Sequence, residues 1–143
     1  MKLMTGWQLY ALGSAVFAGL TAIFGKLGVA RIPSNLATLL RTIVIIVFIA
    51  AIVAYRGEWQ SPQSLPRRSL AFLVISGLCT GASWLCYYRA LQLGPASRVA
   101  PIDKLSVVIS MVLAWTLLGE QVTWKALLGG LLVAGGAVVL AIP

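Results

Sequence analysis

The stretch LATLLRTIVIIVFIAAIVAY (residues 36–55) runs for twenty residues with a single charge, Arg41. A helix needs about 20 apolar residues to cross the hydrocarbon core of a bilayer. Comparable runs recur at Trp7–Ala30, Leu70–Gln92, Ser97–Leu118 and Trp124–Ile142. Backbone N–H and C=O groups in lipid must be bonded internally, and a helix does this within one segment. The sequence therefore predicts an all-α integral membrane protein with five transmembrane helices.

Composition agrees. Of 143 residues 60% are hydrophobic and 10% charged, where a soluble domain has about a quarter charged. Mean hydropathy is +0.97. The N-terminal MKLMTGWQLYALGSAVFAGL resembles a signal peptide, but its apolar run continues to Leu27, so a first spanning helix is expected. Arg31-Ile-Pro-Ser-Asn, Gly94-Pro95-Ala96 and Gly119-Glu120-Gln121-Val122-Thr123 are short links, and only RGEWQSPQSLPRRS (56–69) looks like a polar loop. Short links hold consecutive helices antiparallel and adjacent. One compact bundle is expected, a single transmembrane domain over residues 1–143.

The net charge of +8 fits basic residues that flank spans and meet anionic headgroups. The lipid bilayer is the expected partner, and no soluble basic module for nucleic acid is visible. Lys2, Arg56, Arg67, Arg68 and Lys125 fall on one side; Lys26, Arg31, Arg89 and Arg98 fall on the other, with Arg41 and Lys104 deeper. This near balance leaves two readings open. Either the Arg67–Arg68 pair sets one orientation, or the chain inserts both ways and pairs as an antiparallel dimer.

Several chemistries are excluded. Cys79 and Cys86 are seven residues apart in one helix, roughly 10 Å, too far for a disulfide. There is no His and no CxxC, so no metal, cofactor or nucleophile–base pair is expected, and the protein does not read as an enzyme.

Small residues recur at helix-packing spacing: Ser14, Ala18 and Ala22; Gly77 and Gly81, followed on the same face by Trp84 and Tyr88; and Gly130, Ala134, Ala137 and Ala141. Such stripes let helices approach closely in lipid. Trp7, Trp59 and Trp124 fit an interfacial belt. Trp84, Tyr87, Tyr88 and Trp115 lie deeper, where they either pack or line a binding cavity.

Charges at membrane depth are expensive and informative. Lys26 and Arg89 are near enough to helix ends to snorkel, whereas Arg41, Asp103 and Lys104 are deeper. Adjacent helical residues diverge by about 100°. Asp103 is thus expected on a stripe with Ser106 and Ser110, and Lys104 on another with Val108, Met111 and Trp115, so that the two do not simply neutralise each other. Ion pairing with Arg41 or a partner subunit, and contact with solute or proton, both stand as readings. Pro101 reads as a helix-start proline in the first turn, the alternative being a broken helix of the kind transporters use. Thr123 is placed to cap the fifth span.

Taken together, VLAWTLLGEQVTWKALLGGLLVAGGAVVL (112–140), LCYYRALQLGPASRVAP (85–101), TAIFGKLG (21–28) and Leu39-Leu40-Arg41 resemble EamA-type domains of the drug/metabolite transporter superfamily, in order and spacing. Many members of that family carry ten helices as two inverted five-helix repeats. The resemblance implies that this chain is one such half, in a short five-helix bacterial form. It would act as a homodimer, antiparallel if the repeats are inverted, in the bacterial inner membrane. It implies a secondary transporter of small metabolites, expected to export by alternating access. The site is expected at Arg41, Trp84, Tyr88, Asp103, Lys104 and Ser106, with Asp103 the one carboxylate deep enough to exchange protons. The excess of basic groups tilts the solute toward an anion or zwitterion. Two rivals remain: a small membrane subunit that stabilises a partner, and a small-multidrug-resistance-like cation exporter. The latter group relies on a carboxylate in its first helix, and Trp7–Ala30 has none.

Overall fold

A computed structural model describes residues 6–142. Lys2, counted above in the charge balance, lies outside the described residues. The helices are α1 (Gly6–Gly28), α2 (Ser34–Tyr55), α3 (Arg67–Leu93), α4 (Ala96–Asp103), α5 (Leu105–Leu118) and α6 (Trp124–Ala141), with a 3-10 turn at Pro62–Ser64. Among the described residues there are no strands. Taking α4 and α5 together, five segments are long and apolar enough to cross a membrane. Their ends fall within three residues of those expected from hydropathy. Large apolar side chains on α2 stand outward, Phe48 63% and Val47 64% exposed, as lipid-facing surfaces require.

Helix ends and polar side chains follow from the need to bond within the protein. Arg56 and Gly57 close α2 in a Schellman arrangement: Glu58 N–H donates to Val53 O (3.0 Å) and Gly57 N–H to Ala54 O (3.1 Å). Gly57 takes φ +64° there, where a Cβ would be strained. Gly119 ends α5 at φ +69°. Thr123 caps α6 as expected, its Oγ1 accepting from Ala126 N–H at 3.2 Å. Buried along α2, the Thr38 hydroxyl donates to Ser34 O (2.9 Å) and that of Thr42 to Thr38 O (2.8 Å). Thr80 and Thr116 likewise donate to Ser76 O and Val112 O. These hydroxyls are spent on their own helix and present no unsatisfied group to lipid.

The fourth span differs from expectation. It breaks at Lys104, where α4 stops and α5 starts. Pro101 is the sixth residue of α4, inside the helix rather than in its first turn. It has no N–H to give to Ser97 O and obstructs the preceding turn. Downstream, Lys104 N–H reaches Pro101 O and Val107 N–H reaches Lys104 O, both i to i−3 bonds of 3.0 Å. The helix thus tightens to 3-10 geometry around Lys104.

Contacts cluster into two units, one joining the chain up to Leu27 with that from Leu93 onward, the other being Gly28–Gln92. In the first, α6 packs against α4 and α5. Gly130 and Ala137, on the small-residue stripe of α6, are buried, and Ala134 between them is half-buried. A Cβ at Gly130 would stand 3.1 Å from Met111 Sδ and 3.2 Å from its Cε, so glycine sets that approach. At Gly77 and Gly81 on α3, a Cβ would meet nothing within 4 Å. In the second unit, α3 is tied to the link preceding α2: Gln92 Nε2 donates to Ile32 O (3.1 Å) and Val29 O (3.4 Å). Val29 and Leu91 are fully buried there.

The far end of Met111 can swing aside for a methyl but not for a branched side chain. Gly130→Ala should leave thermal unfolding in detergent nearly unchanged, while Gly130→Leu should cost about 1–3 kcal/mol by overpacking.

Candidate functional site

Each unit holds one group of charges at membrane depth. In Gly28–Gln92 it is built around Arg41, the eighth residue of α2. Ser34, Ala37 and Thr38 form the buried face of that helix, and Arg41 and Ile45 continue it, half-buried. Opposite stand Trp84, Tyr88 and Gln92, spaced by four residues on one face of α3. Gln92 sets the register through its bonds to the Val29 and Ile32 carbonyls, and Arg89 Nη1 donates to its Oε1 at 2.7 Å. With α3 so held, the Arg41 Cζ lies over the Trp84 ring at 4.0 Å from its centroid and 5.3 Å from that of Tyr88. Tyr88 is itself buried, 4% exposed, with the Tyr87 ring edge-on at 6.3 Å between centroids.

The guanidinium is left incomplete. Arg41 Nη1 is buried and has no hydrogen-bond partner. A buried donor on a charged group costs upward of about 1–3 kcal/mol when unpaired, and stacking on a desolvated ring returns about 2 kcal/mol. Stacking alone does not offset both that donor and the desolvation of the charge.

The other group sits at the break in the fourth span. Lys104 Nζ lies 3.3 Å from Asp103 Oδ2, with side chains 53% and 35% exposed. This corrects the expectation that adjacent residues would not neutralise each other: the break takes Lys104 out of regular helical register, and its long stem turns back to its neighbour. Ser106 and Ser110 are exposed on α5 and line an open groove of about 410 Å³ with Glu120 and Gln121. Beside it, Val108, Met111, Trp115, Val122 and Leu127 line an apolar hollow of about 350 Å³.

The sequence-predicted residues therefore fall into two sets: Arg41, Trp84 and Tyr88 meet in one unit, and Asp103 pairs with Lys104 in the other, with Ser106 two residues along. The two basic residues near helix ends both have partners. Lys26, expected to snorkel, donates from Nζ to Gly94 O at 2.8 Å, and Arg89 is engaged by Gln92. Gln92 itself was not singled out; a polar amide four and eight residues from the two deep aromatics was the available signal.

Comparison with known proteins is consistent across the chain. Residues 5–142 match the EamA-like transporter family. A protein of Sinorhizobium sp., described as an uncharacterized transporter in the cobO 3' region, is 54% identical over 136 residues, covering 95% of this chain and 96% of that protein. An uncharacterized protein of Methanocaldococcus jannaschii is 26% identical over 128 residues, 90% of each. No solved structure matches.

Since Gln92 registers the aromatic face, Gln92→Leu should destabilise the protein by about 1–3 kcal/mol through the loss of three hydrogen bonds, measured by thermal unfolding. Gln60→Leu in the exposed loop should have no effect.

Proposed function

The chain belongs to the EamA-like transporter family, and from that premise we propose that it is a secondary transporter of small metabolites, working by alternating access as a homodimer. Its family and its Sinorhizobium relative point to transport rather than catalysis, and it is a multi-pass membrane protein. The observation that carries the proposal further is the break in the fourth span. Pro101 and the i to i−3 bonds at Lys104 divide the span into two short helices, with an acid and a base at the joint. Interrupted backbone at membrane depth is tolerated where it lines a cavity, and discontinuous helices are where transporters bind solute and coupling ion.

In this reading Asp103 exchanges protons and Lys104 answers its charge. The two side chains, 3.3 Å apart, meet across the joint between α4 and α5. The near balance of basic residues on the two sides supports two oppositely inserted copies, each supplying one five-helix repeat. Export across the bacterial inner membrane is the direction we assign.

The test is flux in proteoliposomes of purified protein against a metabolite panel, with an imposed pH gradient. Gradient-driven flux is expected, and Asp103→Asn should abolish its pH dependence and slow it by at least tenfold. Intact flux and pH dependence in Asp103→Asn would remove proton exchange from this residue. If changes at Asp103 and Lys104 instead damage assembly while no solute moves, the chain is a stabilising subunit. Reporter fusions at the C-terminus should give signal from both sides of the membrane; signal from one side alone would count against dual insertion.

A further inference from the structure

Arg41 stands in the aromatic face of α3 with a donor that nothing meets, and the chain's own acids do not answer it. There are three acidic residues in all. Glu58 pairs with Arg56 at 2.6 Å and Asp103 with Lys104 at 3.3 Å; Glu120 lies in the turn after α5, lining the groove of the other unit. Arg41 Nη1 has no hydrogen-bond partner among the described residues, and the guanidinium lies against the two rings.

The Cζ lies 4.0 Å from the Trp84 ring centroid, and a guanidinium carries a fork of parallel N–H groups matched to a carboxylate. We propose that Arg41, backed by Trp84 and Tyr88, is the subsite for the carboxylate of the transported solute. This deepens the transport reading above and rests on it for the word transported; binding itself does not depend on it.

Charge sets the class further. Among the described residues Arg41 is the guanidinium placed against the Trp84 and Tyr88 rings. A single positive charge balances a monocarboxylate and leaves a phosphate dianion half-neutralised. The neighbouring surfaces are the Trp84 and Tyr88 rings, which suit an apolar body behind the carboxylate. The solute class is a small monocarboxylate with an apolar or aromatic body.

The experiment titrates benzoate into the purified protein in phosphatidylcholine nanodiscs by calorimetry, with benzamide as the uncharged isostere. Benzoate should bind, and benzamide should bind at least tenfold more weakly. Arg41→Met should weaken benzoate by about ten- to hundredfold, the effect of losing charge-assisted hydrogen bonds. Arg41→Lys, which keeps the charge and loses the fork, should fall between, and it serves should Arg41→Met fail to fold by circular dichroism. Inorganic phosphate should bind more weakly than benzoate. Equal binding of benzoate and benzamide, no benzoate binding to the wild type, or wild-type affinity in folded Arg41 variants would each overturn the proposal. So would loss of benzoate binding in phosphatidylglycerol nanodiscs, since the resident anion would then be a lipid headgroup. Arg41-dependent binding without flux would count against transport and leave the subsite standing; flux that ignores Arg41 would do the reverse.

Discussion

In a bilayer a polar group has no water to fall back on, and the structure is organised by how each such group is answered. Most are answered within a turn or two of sequence. The hydroxyls of Thr38, Thr42, Thr80 and Thr116 bond to their own helices. Gly57 lets the last carbonyls of α2 find donors, and Thr123 accepts from the first turn of α6. A smaller set is answered at long range, Lys26 by Gly94 and Gln92 by Val29 and Ile32, and these bonds fix which helix faces meet. Against that background the exceptions stand out: an arginine whose donor is unmet, and a span whose ladder is interrupted beside an acid–base pair.

Those exceptions have different physical characters. Arg41 is held in place by rigid rings and by a register set through Gln92, so it is preorganised: its geometry exists before any ligand arrives. Asp103 and Lys104 sit at a joint with weakened backbone bonding and considerable exposure, so their pairing is conditional on charge. A transporter needs both kinds of element. In the function proposed above, the first would recognise the solute and the second would make the structure respond to it or to a proton.

The spans were legible in the sequence because hydropathy acts locally: runs such as 36–55 need no knowledge of neighbours to be assigned to lipid. The Thr123 cap was legible for the same reason, being a three-residue relation. The clustering of Arg41 with Trp84 and Tyr88 could be suspected from residue types at membrane depth, but not their contact, which depends on the long-range bonds of Gln92. The break at Lys104 was less accessible. Pro101 signalled it, yet the expected start at Ser97 already put that proline fifth in the helix, past the first turn, and the observed start at Ala96 puts it sixth. Once the ladder opened, the geometric argument that kept Asp103 and Lys104 apart no longer held.

The central proposal, that Arg41 binds the carboxylate of a solute, requires that water and solute reach its face of α2. Ile45 lies one turn beyond Arg41 on that face and is half-buried, whereas Ile46 is 61% exposed on the outer surface. The direct measurement places a single cysteine at either position, with Cys79 and Cys86 replaced by alanine, and follows labelling by a membrane-impermeant maleimide. The account predicts that Ile45→Cys is labelled, that benzoate slows it, and that Ile46→Cys is inert in lipid. Equal inertness at both positions would contradict it.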